Sequence, residues 1–139
     1  MSEPDAWQVW AVGVVESALT DLADAPRQPD EGAPSAVLRL RPEYAPALDG
    51  LRAGDRVVVI TWLHLADRGT LVVHPRDDVA RPPTGVFATR SAQRPNPVGL
   101  HEATVVAVSG TAVTLDALEA VDGTPVLDVK PALGPRSTR

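Results

Sequence analysis

The chain has 139 residues, no cysteine and a net charge of −5. That length suits one domain with its own core. The missing cysteines exclude disulfides and thiolate metal sites, and the acidic balance argues against general nucleic-acid binding.

In chain order, residues 9–15 form an apolar run around Gly13 and predict a first strand. Residues 20–35 contain Pro26, Pro29, Pro34 and Gly32 and predict a long loop. Such loops are usually functional or disordered. Residues 37–41 alternate, with Leu38 and Leu40 on one face. Residues 42–51 predict one short helix, limited by Pro46. Residues 56–63 are nearly all apolar and often β-branched, which predicts a strand buried on both faces. Residues 70–73 and 85–89 predict two shorter strands. Residues 102–108 and 111–118 predict a hairpin across Ser109 and Gly110, with Val113, Leu115 and Ala117 sharing a face. Residues 134–139 read as a flexible tail. Fourteen prolines disfavour long helices, and many short strands with turn signals predict a sandwich or a barrel. No apolar stretch approaches the roughly 20 residues that span a bilayer. Residues 1–11 do not read as a signal peptide. A cytoplasmic protein with no membrane partner is expected.

Charge is unevenly spread. Residues 1–55 carry ten acidic residues and four arginines, whereas residues 68–101 carry five arginines against Asp77 and Asp78. The middle of the chain is therefore the part able to face an anion, though scattered solvated arginines give the same count. Two segments stand out. In 85–100, GVFATRSAQRPNPVGL, Pro95 and Pro97 pin the backbone around Asn96. The segment reads equally as a rigid turn or as a loop held ready for a ligand. In 118–133, LEAVDGTPVLDVKPAL, Asp122 and Gly123 begin a turn. Asp128 and Lys130 follow at i and i+2, on one face of a strand, where they can pair; on the residues alone this is a surface turn and a solvated edge strand. There is no phosphate-binding glycine loop and no nucleophile elbow. His64, His74 and His101 show no metal-ligand spacing, so no metal is expected.

The first segment closely resembles the signature of the TrmO (TsaA-like) methyltransferases, usually GVFATRSPxRPNPIGL. The second resembles their other signature, which ends DGTPVxDIKPY. The resemblance runs in order from about residue 9 to residue 133. It implies an all-β fold, a single compact β-barrel with one or two short helices and long loops. It also implies S-adenosylmethionine as cofactor and, commonly, a homodimer with the site near the interface. The implied reaction is N-methylation of threonylcarbamoyl-modified adenosine beside the anticodon of transfer RNA (tRNA). A small-molecule acceptor and a non-catalytic S-adenosylmethionine-binding module are the alternatives. Carried over by position, Arg27, Gln28, Pro29, His64, Arg90, Leu100, Glu119, Ala120, Val121 and Asp122 would line the cofactor site. In this reading Arg90 clamps the cofactor carboxylate with two parallel bonds, and Leu100 packs on the adenine. Glu119 or Asp122 meets the ammonium or sulfonium. Asp122 is the first candidate for a general base and His64 the second. Arg94, Asn96 and Lys130 are candidates for binding the acceptor, although Asn96 serves equally well to hold the Pro95–Pro97 turn. The chain departs from the family pattern at Ala92 and Gln93, at Ala132 in place of a tyrosine, at Glu119 in place of a frequent aspartate, and at His101 in place of a frequent serine.

Overall fold

Alternating small apolar residues with no aromatic bulk suit a narrow barrel, where each strand offers one face to a tight interior. The computed structural model describes residues 5–21 and 32–134. Its strands are β1 (Gly13–Ser17), β2 (Ala36–Leu40), β3 (Arg56–Trp62), β4 (Val72–Val73), β5 (Thr84–Gly85), β6 (Val98–Ser109), β7 (Ala112–Leu115) and β8 (Pro125–Pro131). Six of them close a barrel in the order β1-β2-β7-β6-β3-β8. Every neighbouring pair is antiparallel, and β8 returns to β1 through Gly13 opposite Val126. β4 and β5 form a separate two-stranded ribbon within the excursion between β3 and β6.

The core is Val15, Leu38, Val57, Val59, Ala103, Val105, Val113, Leu115, Leu118 and Val126 with a few neighbours. Each fully buried valine or leucine contributes about 1.5–3 kcal/mol relative to exposure. Gly13 marks a close approach of β1 to β2. A Cβ there would stand 2.5 Å from the Arg39 carbonyl oxygen and 2.9 Å from the Leu40 Cα, both backbone atoms. On the outer surface Arg39 bonds Glu16 at 2.8 Å and holds that carboxyl below the usual glutamate range; solvent screens this exposed pair. Its small contribution is present above the usual glutamate range and fades as pH falls through the lowered value.

The predicted alternation holds in β2 and β7, where Leu38, Leu40, Val113 and Leu115 all point inward. The predicted helix is a 3-10 helix, Pro42–Leu48, with Pro46 inside it. The hairpin turn falls at Gly110 and Thr111, where Gly110 has φ +60°.

Four expectations need correction. β1 begins only at Gly13, because pairing to β2 and β8 starts there. β3 is buried on one face only: Val57, Val59 and Thr61 face the core, while Val58, Ile60 and Trp62 are half-buried outside. Of residues 85–89 only Gly85 is in a strand, the end of β5. The rest fold into a 3-10 turn, Val86–Ala88, in which Val86 is buried and Phe87 is 85% exposed. β8 is no edge strand, because it pairs with both β1 and β3 and so closes the barrel. Asp128 and Lys130 do pair on its outer face, at 3.3 Å.

Antiparallel order brings the ends of β1, β3 and β7 and the starts of β2, β6 and β8 to one end of the barrel. Residues 116–124 cross that end and seal it with buried Leu118, Ala120 and Val121. They are tied down by Leu118 N–H to Pro34 O (2.9 Å), Asp122 N–H to Leu19 O (2.6 Å) and Gly123 N–H to Val15 O (2.7 Å). Both signature segments therefore meet at the same end.

Candidate functional site

At this end a small, open, apolar pocket of about 50 Å³ lies between the exit of β3 and the sealing segment. Leu63, His64, Leu65 and Ala66 form one wall, Glu119, Ala120, Val121 and Thr124 the other, and Ala92 comes from the first signature. Four residues expected at the cofactor site, His64, Glu119, Ala120 and Val121, are thus brought together.

The first signature is a stitched loop. The Arg94 guanidinium, half-buried, donates to the carbonyls of Val86 (2.6 Å), Thr89 (3.1 Å) and Ser91 (2.8 Å). The Arg94 N–H donates to Asp67 O at 3.1 Å, and the Gln93 side-chain oxygen accepts from the Asp67 N–H. Arg68 donates to Pro95 O (2.7 Å) and to Asn96 Oδ1 (3.0 Å), with its guanidinium 5.0 Å from the centre of the Trp62 ring. Leu63 N–H then donates to Pro97 O at 2.7 Å. The loop that carries Ala92 is thereby fixed against the pocket wall before any ligand arrives, which lowers the ordering cost of binding. The geometry uses Asn96 to hold the turn. Arg94 spends its donors on the loop. Arg94→Met should therefore loosen this loop by about 2 kcal/mol, since charged hydrogen bonds contribute roughly 1.5–3 kcal/mol. Hydrogen exchange of the amides in 86–97 should accelerate roughly thirtyfold, with the barrel strands unchanged.

Glu119 of the pocket wall belongs to a buried polar cluster. Thr61 Oγ1 lies 2.7 Å from His101 Nε2, and His101 Nδ1 lies 2.5 Å from Glu119 Oε1. Thr61 and His101 are buried and the Glu119 side chain is 11% exposed. Glu119 Oε2 is also buried and has no hydrogen-bond partner among the described residues. Gly99 stands opposite Thr61 in the β3–β6 register. A Cβ on it would sit 2.5 Å from Thr61 Oγ1 and 2.6 Å from His101 Nε2. The second glycine of the first signature, Gly99, is thus a matter of space for this bond. Residue reading alone did not single out Thr61 or His101 as site residues; the inward alternation of β3 and β6 was the available signal.

The other expected residues lie apart from the pocket. Arg90 is exposed. Leu100 is 50% exposed on the outer face of β6, next to Ile60 across the pair with β3. Asp122 is exposed, and its Oδ1 accepts from the Ser17 N–H at 3.0 Å. Lys130 is engaged with Asp128. Arg27, Gln28 and Pro29 lie outside the described residues. Of the arginine excess, Arg68 and Arg94 are committed to the loop and Arg81 stands 3.7 Å from Asp78. Among the described residues no group of three or more histidines, aspartates or glutamates could hold a metal ion. Among the described residues no helix is long and apolar enough to cross a membrane.

The pocket's chemistry is a buried carboxylate oxygen set in an apolar wall. That fits a ligand with an apolar or aromatic body and a cation or hydrogen-bond donor. S-adenosylmethionine has such a body and such donors, so the residues present fit this cofactor.

Comparison with known proteins agrees. Residues 14–134 match the family model for the tRNA-methyltransferase O N-terminal domain. Over 120 residues the chain is 42% identical to a probable S-adenosyl-L-methionine-binding protein of Methanothermobacter thermautotrophicus, covering 86% of this chain and 85% of that protein. Over 132 residues it is 39% identical to the tRNA (adenine(37)-N6)-methyltransferase of Mus musculus, covering 86% of this chain and 29% of that one. The crystal structure of TrmO from P. aeruginosa matches with a TM-score of 0.75 and 29% identity, over 99% of this chain. The chain spans about three fifths of the length of that solved protein, 61%.

Proposed function

The chain belongs to the tRNA-methyltransferase O N-terminal domain family, and from that premise we propose that it is an S-adenosylmethionine-dependent N-methyltransferase. The acceptor is the threonylcarbamoyl-modified adenosine beside the anticodon of tRNA. The observation that carries this reading is Glu119, which lines the apolar pocket where both signatures meet and whose buried Oε2 has no partner among the described residues. When bound, S-adenosylmethionine supplies a methyl carbon that is open to in-line displacement. Glu119 would accept a donor of the cofactor, and Ala92, Ala120 and Val121, which line the pocket, would pack on its apolar body. Exposed Arg90, beside the loop that carries Ala92, is free to meet a carboxylate or a phosphate. The acceptor nitrogen is a poor nucleophile, because its lone pair is delocalised into the carbamoyl group, so a base near its N–H aids transfer. His64 lines the pocket and Asp122 does not, which favours His64 for that role.

We also infer a homodimer in the cytoplasm. Ile60 lies opposite Leu100 and Trp62 opposite Val98 on the outer face of β3 and β6. Val98 and Leu100 are 41% and 50% exposed, an apolar patch suited to a second copy. From that face Leu100 reaches a cofactor only across such an interface. A non-catalytic S-adenosylmethionine-binding module is the second reading, favoured by the tie of Asp122 to Ser17, which leaves the pocket one base candidate fewer. The test is transfer of labelled methyl from S-adenosylmethionine to tRNA with and without the threonylcarbamoyl group. Label should enter only the modified tRNA. Tight cofactor binding without transfer would select the second reading.

A further inference from the structure

The proposed transfer has no direct task for Thr61 and His101, yet both are buried and polar in an otherwise apolar interior. His101 Nδ1 faces Glu119 Oε1, and a carboxylate only accepts hydrogen bonds. Nδ1 therefore carries the proton. Nε2 lies 2.7 Å from the Thr61 hydroxyl oxygen, within hydrogen-bond distance. The bonds link Thr61 through His101 to Glu119. Gly99 leaves the room in which the first bond forms. One oxygen of Glu119 is used by His101; the other is buried with no partner among the described residues, on a residue that lines the pocket. Folding alone leaves that buried acceptor unsatisfied, at a cost that a ligand donor removes.

We propose that His101 is a positioning residue for cofactor binding. Fixed by Thr61, it holds the Glu119 carboxylate so that Oε2 accepts an N–H or O–H donor of S-adenosylmethionine. The proposal rests on the cofactor reading of the pocket. His101 itself does not touch the ligand; it removes the rotamer freedom that Glu119 would otherwise lose on binding.

The experiment is titration calorimetry of S-adenosylmethionine into the full chain, with thermal unfolding of each ligand-free variant. His101→Leu should weaken binding roughly ten- to hundredfold, the range for a hydrogen bond to a charged group. His101→Asn places an amide nitrogen where the imidazole Nδ1 stands and should bind within about threefold of the unsubstituted protein. In a Glu119→Ala background His101→Leu should change the affinity less than about twofold, because no carboxylate is left to hold. A merely structural His101 would lower affinity by the same factor in both backgrounds, and that result overturns the proposal. So does unchanged affinity in His101→Leu. If His101→Leu does not fold, Thr61→Val removes the hydroxyl that fixes the ring at nearly constant volume. A roughly three- to tenfold loss then supports the proposal and an unchanged affinity refutes it. Unsubstituted protein that takes up no cofactor at millimolar concentration would overturn the functional reading itself, a result distinct from any variant's.

Discussion

Gly99→Ala is expected to lower the melting temperature by roughly 10 °C and to weaken S-adenosylmethionine binding in the same variant. The added Cβ would stand 2.5 Å from Thr61 Oγ1 and 2.6 Å from His101 Nε2, both in the buried end of the barrel. Neither atom is the tip of a flexible side chain with free space behind it, since Thr61 and His101 are held between β3 and β6. Overpacking of this kind costs about 1–3 kcal/mol, occasionally more. For a domain of this size each 1 kcal/mol shifts the midpoint by about 4 °C. The affinity loss follows by a different route. Separating Thr61 from His101 frees the imidazole, and Glu119 loses its fixed orientation. Differential scanning calorimetry and a cofactor titration on one preparation would check both parts. A variant with the stability and affinity of the unsubstituted protein would mean that the Thr61–His101 bond is unimportant.

Glu119→Gln is expected to weaken binding sharply while gaining no stability. The amide oxygen still accepts from His101 Nδ1, while the NH₂ group replaces the buried, unpartnered Oε2. The buried NH₂ finds no acceptor where Oε2 found no donor, so the ligand-free variant should gain no stability and should lie within about 1–2 kcal/mol of the unsubstituted protein. Its affinity for S-adenosylmethionine should fall roughly ten- to hundredfold, because the ligand's donor now meets another donor. Chemical denaturation without cofactor and calorimetry with it would measure the two terms separately. Loss of stability together with unchanged affinity would make Glu119 a structural residue.

Much of the fold was legible because it rests on local pattern. Alternation in β2 and β7 put Leu38, Leu40, Val113 and Leu115 on the core side, and they are there. The i, i+2 spacing of Asp128 and Lys130 gave their pairing. Three features were not legible, each for a physical reason. Residues 85–89 looked like a strand, but Arg94 takes the carbonyls of Val86, Thr89 and Ser91, which a sheet ladder would have needed. The apolar run of β3 suggested two buried faces, although the outer one joins Val98 and Leu100 in an exposed patch. The link from Thr61 through His101 to Glu119 depends on the β3–β6 register and on the segment that seals the barrel. Those residues lie 40 and 18 positions apart, so no local motif contains them. Glu119 was expected at the cofactor site by resemblance; its unpartnered oxygen emerged only from the packing around it.

Titration of S-adenosylmethionine into the unsubstituted protein and into Ala92→Trp tests the central claim most directly. Ala92 is half-buried on a rigid loop and lines the pocket opposite Glu119, so an indole there occupies the space a ligand would take. The account predicts one cofactor bound per chain in the unsubstituted protein. It predicts a loss of at least about a hundredfold in Ala92→Trp, the size expected when the apolar contact and the Glu119 bond are both denied. The melting temperature of the ligand-free variant should stay within a few degrees. Equal affinity in the two proteins would place the cofactor elsewhere, and no binding to the unsubstituted protein would contradict the account outright.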